Sequence, residues 1–263
     1  MGTLNEESPG SESMSRSMAC TRVEGMTFSP GFHDVAEEVP VSVAVNGRQI
    51  LVAMTSPTLI REYVVGFLFT EGIISRPDEI ESIRIEEHRV SVLTKNPFRM
   101  IGGKRTILSG CGGASSFLDP EKLPRITASL QISPPAVREA LKEILSSDLH
   151  KRTGGVHIVG LFSGNSAVVV AEDIGRHNAL DRVIGYGLLR GIDFSSVFAV
   201  SSGRISSEMV RKCSMAGIPV IASRGATTTL AVGIAEKTGI TLIGFARGDR
   251  MNIYSHAERL AGS

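Results

Sequence analysis

Cysteine is scarce in this chain, and its three copies, Cys20, Cys111 and Cys213, lie far apart. That spacing excludes a disulfide framework and a zinc cluster, and makes a reducing cytoplasm the expected compartment. Neither charge sign is in surplus: 28 Lys and Arg against 27 Asp and Glu leave +1, so wholesale nucleic-acid binding by charge is excluded. No apolar run approaches the roughly 18–20 residues that cross a bilayer, so no membrane association is expected. The amino-terminal stretch has neither a basic start nor an apolar core. Rich in Ser, Glu, Gly and Met, residues 1–33 read as a disordered tail and not as a signal peptide. Also missing are Pro-Cys-x-x-Cys, the thiolate half of the zinc site of nucleotide deaminases, and any internal repeat.

What remains is an ordinary globular composition, 42% apolar and 21% charged, in 263 residues, enough for two domains. Val39–Val45 and Arg48–Met54 flank Asn46-Gly47, the strongest two-residue hairpin signal. Ser56-Pro57 reads as a cap and first turn for a helix bearing Leu59, Tyr63 and Phe67 and stopped by Gly72. Ile80–Ile85 and Arg89–Thr94 suggest a second strand pair. Residues 34–100 therefore form a small α+β domain. Residues 101–132 carry Gly102, Gly103, Gly110, Gly112 and Gly113 and read as a mobile loop. From 133 to 263 a helix at Pro134–Ser147 and a hairpin around Gly164-Asn165 precede alternating helices and strands. The helices are expected over about 178–190, 206–216 and 227–237, and the strands at Val197–Ser201, Pro219–Ala222 and Thr241–Phe245. This is an α/β pattern with parallel strand pairs and right-handed crossovers.

Ligands of such sheets collect at the carboxyl ends of the strands, where helix N-termini present N–H groups. Here those ends are unusually polar. Glu172 and Asp173 are followed by Gly175, Arg176, His177 and Asn178, and then by Asp181 and Arg182. Ser201–Ser207 contains Gly203, Arg204 and Ser206. Ser223–Thr229 contains Arg224-Gly225, and Phe245 leads into Ala246-Arg247-Gly248-Asp249-Arg250. Arginine offers a charged fork, glycine allows close approach, and helix openings add partial positive charge, a combination suited to a phosphate-bearing ligand. Each loop alone also reads as caps and turns.

Cys111 lies in Ser109-Gly110-Cys111-Gly112-Gly113-Ala114, with Lys104 and Arg105 upstream. Flanking glycines leave the sulfur uncovered and nearby cations favour the thiolate, so Cys111 reads as a nucleophile and not as a packed, inert thiol. Cys213 shares a helical face with Met209, Val210 and Ala216 and reads as core. His177 and His157 are candidates for chemistry at the strand ends, although a lone histidine is more often structural.

Glu172–Gly185, Ser202–Met209, Thr153-Gly154-Gly155-Val156-His157 and Leu242–Tyr254 closely resemble the FdhD/NarQ family, the formate dehydrogenase accessory sulfurtransferases. The likeness runs from about Asp34 to Leu260. The resemblance implies a three-layer carboxy-terminal domain similar to cytidine deaminase, with a mixed sheet flanked by helices and no zinc site, behind the smaller amino-terminal domain. It implies a cytoplasmic homodimer that takes sulfur from a cysteine desulfurase as a persulfide. The sulfur is passed to the molybdenum cofactor, in its bis(molybdopterin guanine dinucleotide) form, for formate dehydrogenase. The family's persulfide cysteine maps onto Cys111 and its guanine-dinucleotide contacts onto Phe245–Arg250; Arg204, Ser206 and His177 join them at the same rim. One departure stands out: where the family usually has Cys-x-x-Cys, the second position is Ala114. The competing expectation is a chaperone that delivers the cofactor without sulfur chemistry.

Overall fold

The structure, a computed structural model, describes residues 13–96 and 122–261. Cys111 and Ala114 therefore lie outside the described residues.

The amino-terminal unit begins with a hairpin of β1 (Ser15–Glu24) and β2 (Thr27–Ala36), turned at Gly25, whose φ is +62°. Residues 15–33 are thus paired strands where the sequence suggests a tail. β-formers such as Thr21, Val23, Phe28 and Phe32 override the polar composition of the segment. Next come β3 (Val39–Val45), β4 (Arg48–Thr55), α1 (Ile60–Thr70), β5 (Ile80–Glu86) and β6 (Arg89–Thr94). They form a four-stranded sheet in the order β4-β3-β6-β5. Every second residue of β3, namely Val41, Val43 and Val45, is buried, and these pack with Tyr63, Val64, Phe67 and Leu68 of α1. The Asn46-Gly47 turn has positive φ at both positions, as the sequence requires. Ser56 is not the cap of α1. The helix starts three residues later, behind Leu59 in the left-handed region, and the Ser56 hydroxyl accepts instead from the N–H of Ile174 at 3.2 Å.

The carboxy-terminal unit contains α2 (Pro134–Ile144), α3 (Asp148–Thr153), β7 (His157–Ser163), β8 (Ser166–Asp173) and α4 (Arg176–Leu189). It continues with β9 (Phe198–Ser201), α5 (Ser207–Ala216), β10 (Val220–Ser223), α6 (Thr229–Thr238), β11 (Thr241–Arg247) and β12 (Arg250–Ser255). The mixed sheet has the order β12-β11-β10-β9-β7-β8, with β9, β10 and β11 mutually parallel. Helices α4, α5 and α6 cover one face, burying Leu180, Met209, Cys213 and Ala235, and α2 covers the other with Val137, Leu141 and Ile144. Burial drives the Cys213 thiol up to about 12, so this sulfur is core, as its helical position suggests. The last part of the expected loop is docked: Leu123 is buried, Ile126 N–H donates to Thr238 O at 2.7 Å, and Ile132 pairs with Leu260. No helix among the described residues is long and apolar enough to cross a membrane.

The units meet where α1 crosses α4, and the crossing depends on two glycines. A Cβ on Gly66 would come 1.9 Å from Asp181 O, and one on Gly185 would come 1.9 Å from Glu62 O. Only hydrogen side chains let the two backbones approach this closely.

Candidate functional site

Because β7 runs antiparallel to both β8 and β9, the carboxyl ends of β8, β9, β10 and β11 share one edge with the start of β7. His157 opposes Asp173 in this register. Arg176, His177, Ser201–Ser206, Ser223–Thr228 and Phe245–Arg250 lie at these strand ends or in the loops that follow them, so the rim read from the sequence is one continuous edge.

The loops of this rim are stitched together by backbone and side-chain hydrogen bonds. Ser223 Oγ donates to Gly203 O at 2.6 Å, and Gly225 N–H donates to Ser223 Oγ at 2.8 Å. Ile205 N–H donates to Ala226 O at 2.9 Å. Phe245 N–H donates to Gly225 O at 2.8 Å, and Arg247 Nε donates to Arg224 O at 2.9 Å. The Gly203 position has no room for a side chain, since a Cβ there would sit 2.7 Å from His157 Nδ1. Arg204, Arg224, Arg247 and Arg250 are all exposed, and three of them stand beside a glycine.

Helices α4 and α5 both open onto this rim without a side-chain cap. Ser206 occupies the capping position of α5, but its hydroxyl meets His177 Nε2 at 2.9 Å. Burial, reinforced by Arg176 and Lys212, lowers His177 to about 3. The imidazole is therefore neutral at pH 7, and its 3.7 Å approach to Glu208 is a dipolar contact and not an ion pair. His157 is lowered by burial, then by Arg176 and His150. Arg176 Nε is buried with no hydrogen-bond partner among the described residues. An orphaned guanidinium nitrogen, two neutral imidazoles and two uncapped helix N-termini together make an anion-receptive corner.

The structure places the predicted residues unequally. His177 and Ser206 are in contact, and Phe245 and Arg247 lie against the Arg224-Gly225 turn. The segment 245–250 is a hairpin between β11 and β12, with Phe245 at φ +51°. The Phe245 ring is partly exposed, whereas the Ala246 side chain is buried against the α2 layer. Gly248 and Asp249 form the exposed turn.

Much of the polar run at 172–185 serves another purpose. Asp173 Oδ2 accepts from Thr55 Oγ1 at 2.6 Å, Ser56 N–H at 3.1 Å and Arg182 Nε at 2.9 Å, and Arg182 is fully buried. Asp181 accepts from Thr70 Oγ1 at 2.8 Å and pairs with buried Lys212 at 2.8 Å. Arg211 bonds Glu71 and donates to Thr70 O at 2.7 Å. Burial pushes the Glu71 carboxyl up, but Lys212 and Arg211 outweigh it and the net shift is downward. These groups lock α1 and β4 onto α4 and α5. The Asp173–Arg182 pair lies within the run itself, but the sequence reading missed the partners across the joint, since Thr55, Thr70 and Glu71 are more than 100 residues away.

The fold and rim define a class: a two-unit α/β protein with a cationic, glycine-rich strand edge. The FdhD/NarQ family model matches residues 36–261, and the chain belongs to this family. The sulfur carrier protein FdhD of Wolinella succinogenes is 37% identical over 234 residues, covering 86% of this chain and 82% of that protein. Its namesake from Listeria monocytogenes serotype 4b is 37% identical over 251 residues, covering 91% and 96%. A crystal structure from Desulfotalea psychrophila, described provisionally as a formate dehydrogenase accessory protein, is similar with a TM-score of 0.80. It is 29% identical and covers 95% of this chain and all of that one.

Proposed function

We propose that this protein is a cytoplasmic, homodimeric sulfur carrier that receives sulfur on Cys111 from a cysteine desulfurase. It delivers that sulfur to bis(molybdopterin guanine dinucleotide)-bound molybdenum destined for formate dehydrogenase. The carboxy-terminal unit is read as a cytidine deaminase-like fold turned from deamination to holding this substrate. The observation that carries the reading is the rim: exposed arginines beside glycines, and the orphaned Arg176 Nε at the uncapped start of α4, in a chain of this family. Pyrophosphates are the natural occupants of such an edge. The half-exposed Phe245 ring beside Arg247 offers a stacking surface for a guanine.

In the first step the Cys111 thiolate attacks the outer sulfur of the desulfurase persulfide. The donor's cysteine leaves as a thiolate, and Cys111 becomes the persulfide. Passing that sulfur on as sulfide requires two electrons. A second cysteine in the loop would supply them by closing a disulfide; with Ala114 in its place, an external thiol has to. Mass spectrometry after incubation with a cysteine desulfurase and cysteine should find one extra sulfur, about 32 daltons, on the Cys111 peptide. Its absence, or its persistence elsewhere in Cys111→Ser, refutes the carrier role. Ala114 is also what favours the second reading, a chaperone that delivers the cofactor without sulfur chemistry. Full formate dehydrogenase activation by Cys111→Ala would decide for it.

A further inference from the structure

His150 Nδ1 meets Val156 O at 2.8 Å and His177 Nε2 meets Ser206 Oγ at 2.9 Å, but the His157 ring makes no hydrogen bond among the described residues. It is half-buried at the start of β7, opposite Asp173. A half-buried imidazole with both nitrogens idle forgoes bonds that a structural histidine keeps. Gly203 fixes what it stands beside. A Cβ on that glycine would come 2.7 Å from His157 Nδ1 and 3.6 Å from Arg176 Cδ, so the ring and the guanidinium arm lie against the same glycine. Arg176 Nε, bonded to that Cδ, is buried and also lacks a partner among the described residues. Two groups from β7 and α4 thus converge with nitrogens that the protein does not use.

The groups facing the ring set its charge. Burial opposes a proton there most strongly, followed by Arg176 of α4 and His150 of α3. Asp173, at the end of β8, favours the proton, but its carboxylate is already held by Thr55, Ser56, Gly175, Asn178 and Arg182. His177 is neutral, and the uncapped start of α4 adds partial positive charge. The empty corner therefore keeps His157 uncharged at pH 7. A pyrophosphate diester carries two negative charges. Arg176 offsets one, and the other meets a half-buried imidazole, where a negative charge within ~4–6 Å favours the protonated form. The exposed arginines of the rim contribute less at this point because solvent and salt screen them.

We propose that His157 is a proton-coupled contact of the rim: it takes up a proton as a pyrophosphate settles against Arg176, and its N–H then donates to a phosphate oxygen. The proposal rests on the reading of the rim as a pyrophosphate site. The proton comes from solvent, and no bond of the ligand is made or broken. The step selects a doubly charged ligand over a singly charged one, because only the former leaves a charge for the imidazolium to meet.

The test is calorimetric titration of the full chain with GDP-mannose, a pyrophosphate diester that does not itself titrate near neutrality, in buffers of different ionisation enthalpy. The natural protein should take up as much as ~1 proton per ligand at neutral pH, and its affinity should fall as the pH rises, by up to about tenfold per pH unit. His157→Asn should bind at least about 10-fold more weakly on the acid side of neutrality, without proton uptake and with a flat pH profile. Gly203→Ala, whose methyl crowds the ring, should reduce the uptake. Cyclic GMP, a singly charged phosphodiester, should bind the natural protein without it. His256→Asn, whose ring is engaged by Glu258 and Glu236 O, should leave the uptake unchanged. In the natural protein one imidazole resonance should move to its protonated position when GDP-mannose is added, a readout that needs no variant. Binding without uptake, a pH profile unchanged in His157→Asn, or uptake lost in His177→Asn but kept in His157→Asn would each overturn the inference and leave the pyrophosphate site standing. Failure of the natural protein to bind GDP-mannose at any of these pH values would instead remove the site, and the inference with it.

Discussion

Gly66→Ala should destabilise the protein although alanine is the better helix former. By helix propensity alone the substitution would stabilise α1 by about 1 kcal/mol. The new methyl, however, falls 1.9 Å from Asp181 O, where carbon contacts relax at roughly 3.5 Å. Relieving the overlap separates α1 from α4 by on the order of 1.5 Å. Overpacking of this kind costs about 1–3 kcal/mol or more. The shift also stretches Thr70 Oγ1–Asp181, now 2.8 Å, and Thr55 Oγ1–Asp173, now 2.6 Å, beyond hydrogen-bonding range. Each buried acceptor left short costs a further ~1–3 kcal/mol. The net loss is about 2–8 kcal/mol, outside the range of surface substitutions. Urea denaturation followed by far-ultraviolet circular dichroism measures it, since the chain has no tryptophan to report by fluorescence. Gly233, also helical but with nothing within 4 Å of its Cβ position, is the control: Gly233→Ala should stabilise by ~0.5–1 kcal/mol. If Gly66→Ala shifts the midpoint in the same direction as Gly233→Ala, the tight crossing of α1 and α4 is wrong.

Three further outcomes are expected. Arg247→Ala and Arg204→Ala should each weaken GDP binding roughly 10- to 150-fold, by loss of a charge-assisted contact; unchanged calorimetric affinity in both would move the ligand away from this rim. His177 is held neutral down to about 3, while an unfolded chain protonates near 6.5. Its contribution to stability is therefore complete above about pH 6.5 and is lost as the pH falls towards 3; an imidazole resonance that titrates near 6.5 in the folded protein contradicts this. In Ala114→Cys, sulfide should leave the Cys111 persulfide without added thiol, whereas the natural chain should need one; equal release from both without thiol would remove the role assigned to that position.

The strands and helices were legible where one periodicity dominated. Val41, Val43 and Val45 alternate, Asn46-Gly47 turns, and Pro134 opens a helix capped by Ser133, all as the pattern requires. The hairpin at 15–36 was hidden because serine and charge in the composition masked an alternation that only pairing makes visible. β12 was hidden because it is a short edge strand with half its residues exposed. At the rim, the glycines and arginines announced the site because a backbone edge open to phosphate needs those residue types in any fold.

The stretch from Glu172 to Gly185 was harder to divide, and the reason is physical. Asp173, Asp181 and Arg182 are as polar as Arg176 and His177, but they point into the joint between the units, where Thr55, Thr70 and Lys212 satisfy them. A charge that completes a buried network and a charge that awaits a ligand look alike in one dimension, because the difference is whether a distant residue meets it. Here the division falls within two turns of α4. The side chains of its first turn, Arg176 and His177, face the rim with a bond unmade or a proton withheld. Those of the next turn hold the unit that carries the chain towards residue 111. The same helix therefore sets the rim and fixes the root of the segment expected to bring sulfur to it. That is why a single methyl at Gly66 or Gly185, where α1 crosses α4, is expected to disturb delivery at the rim as well as stability.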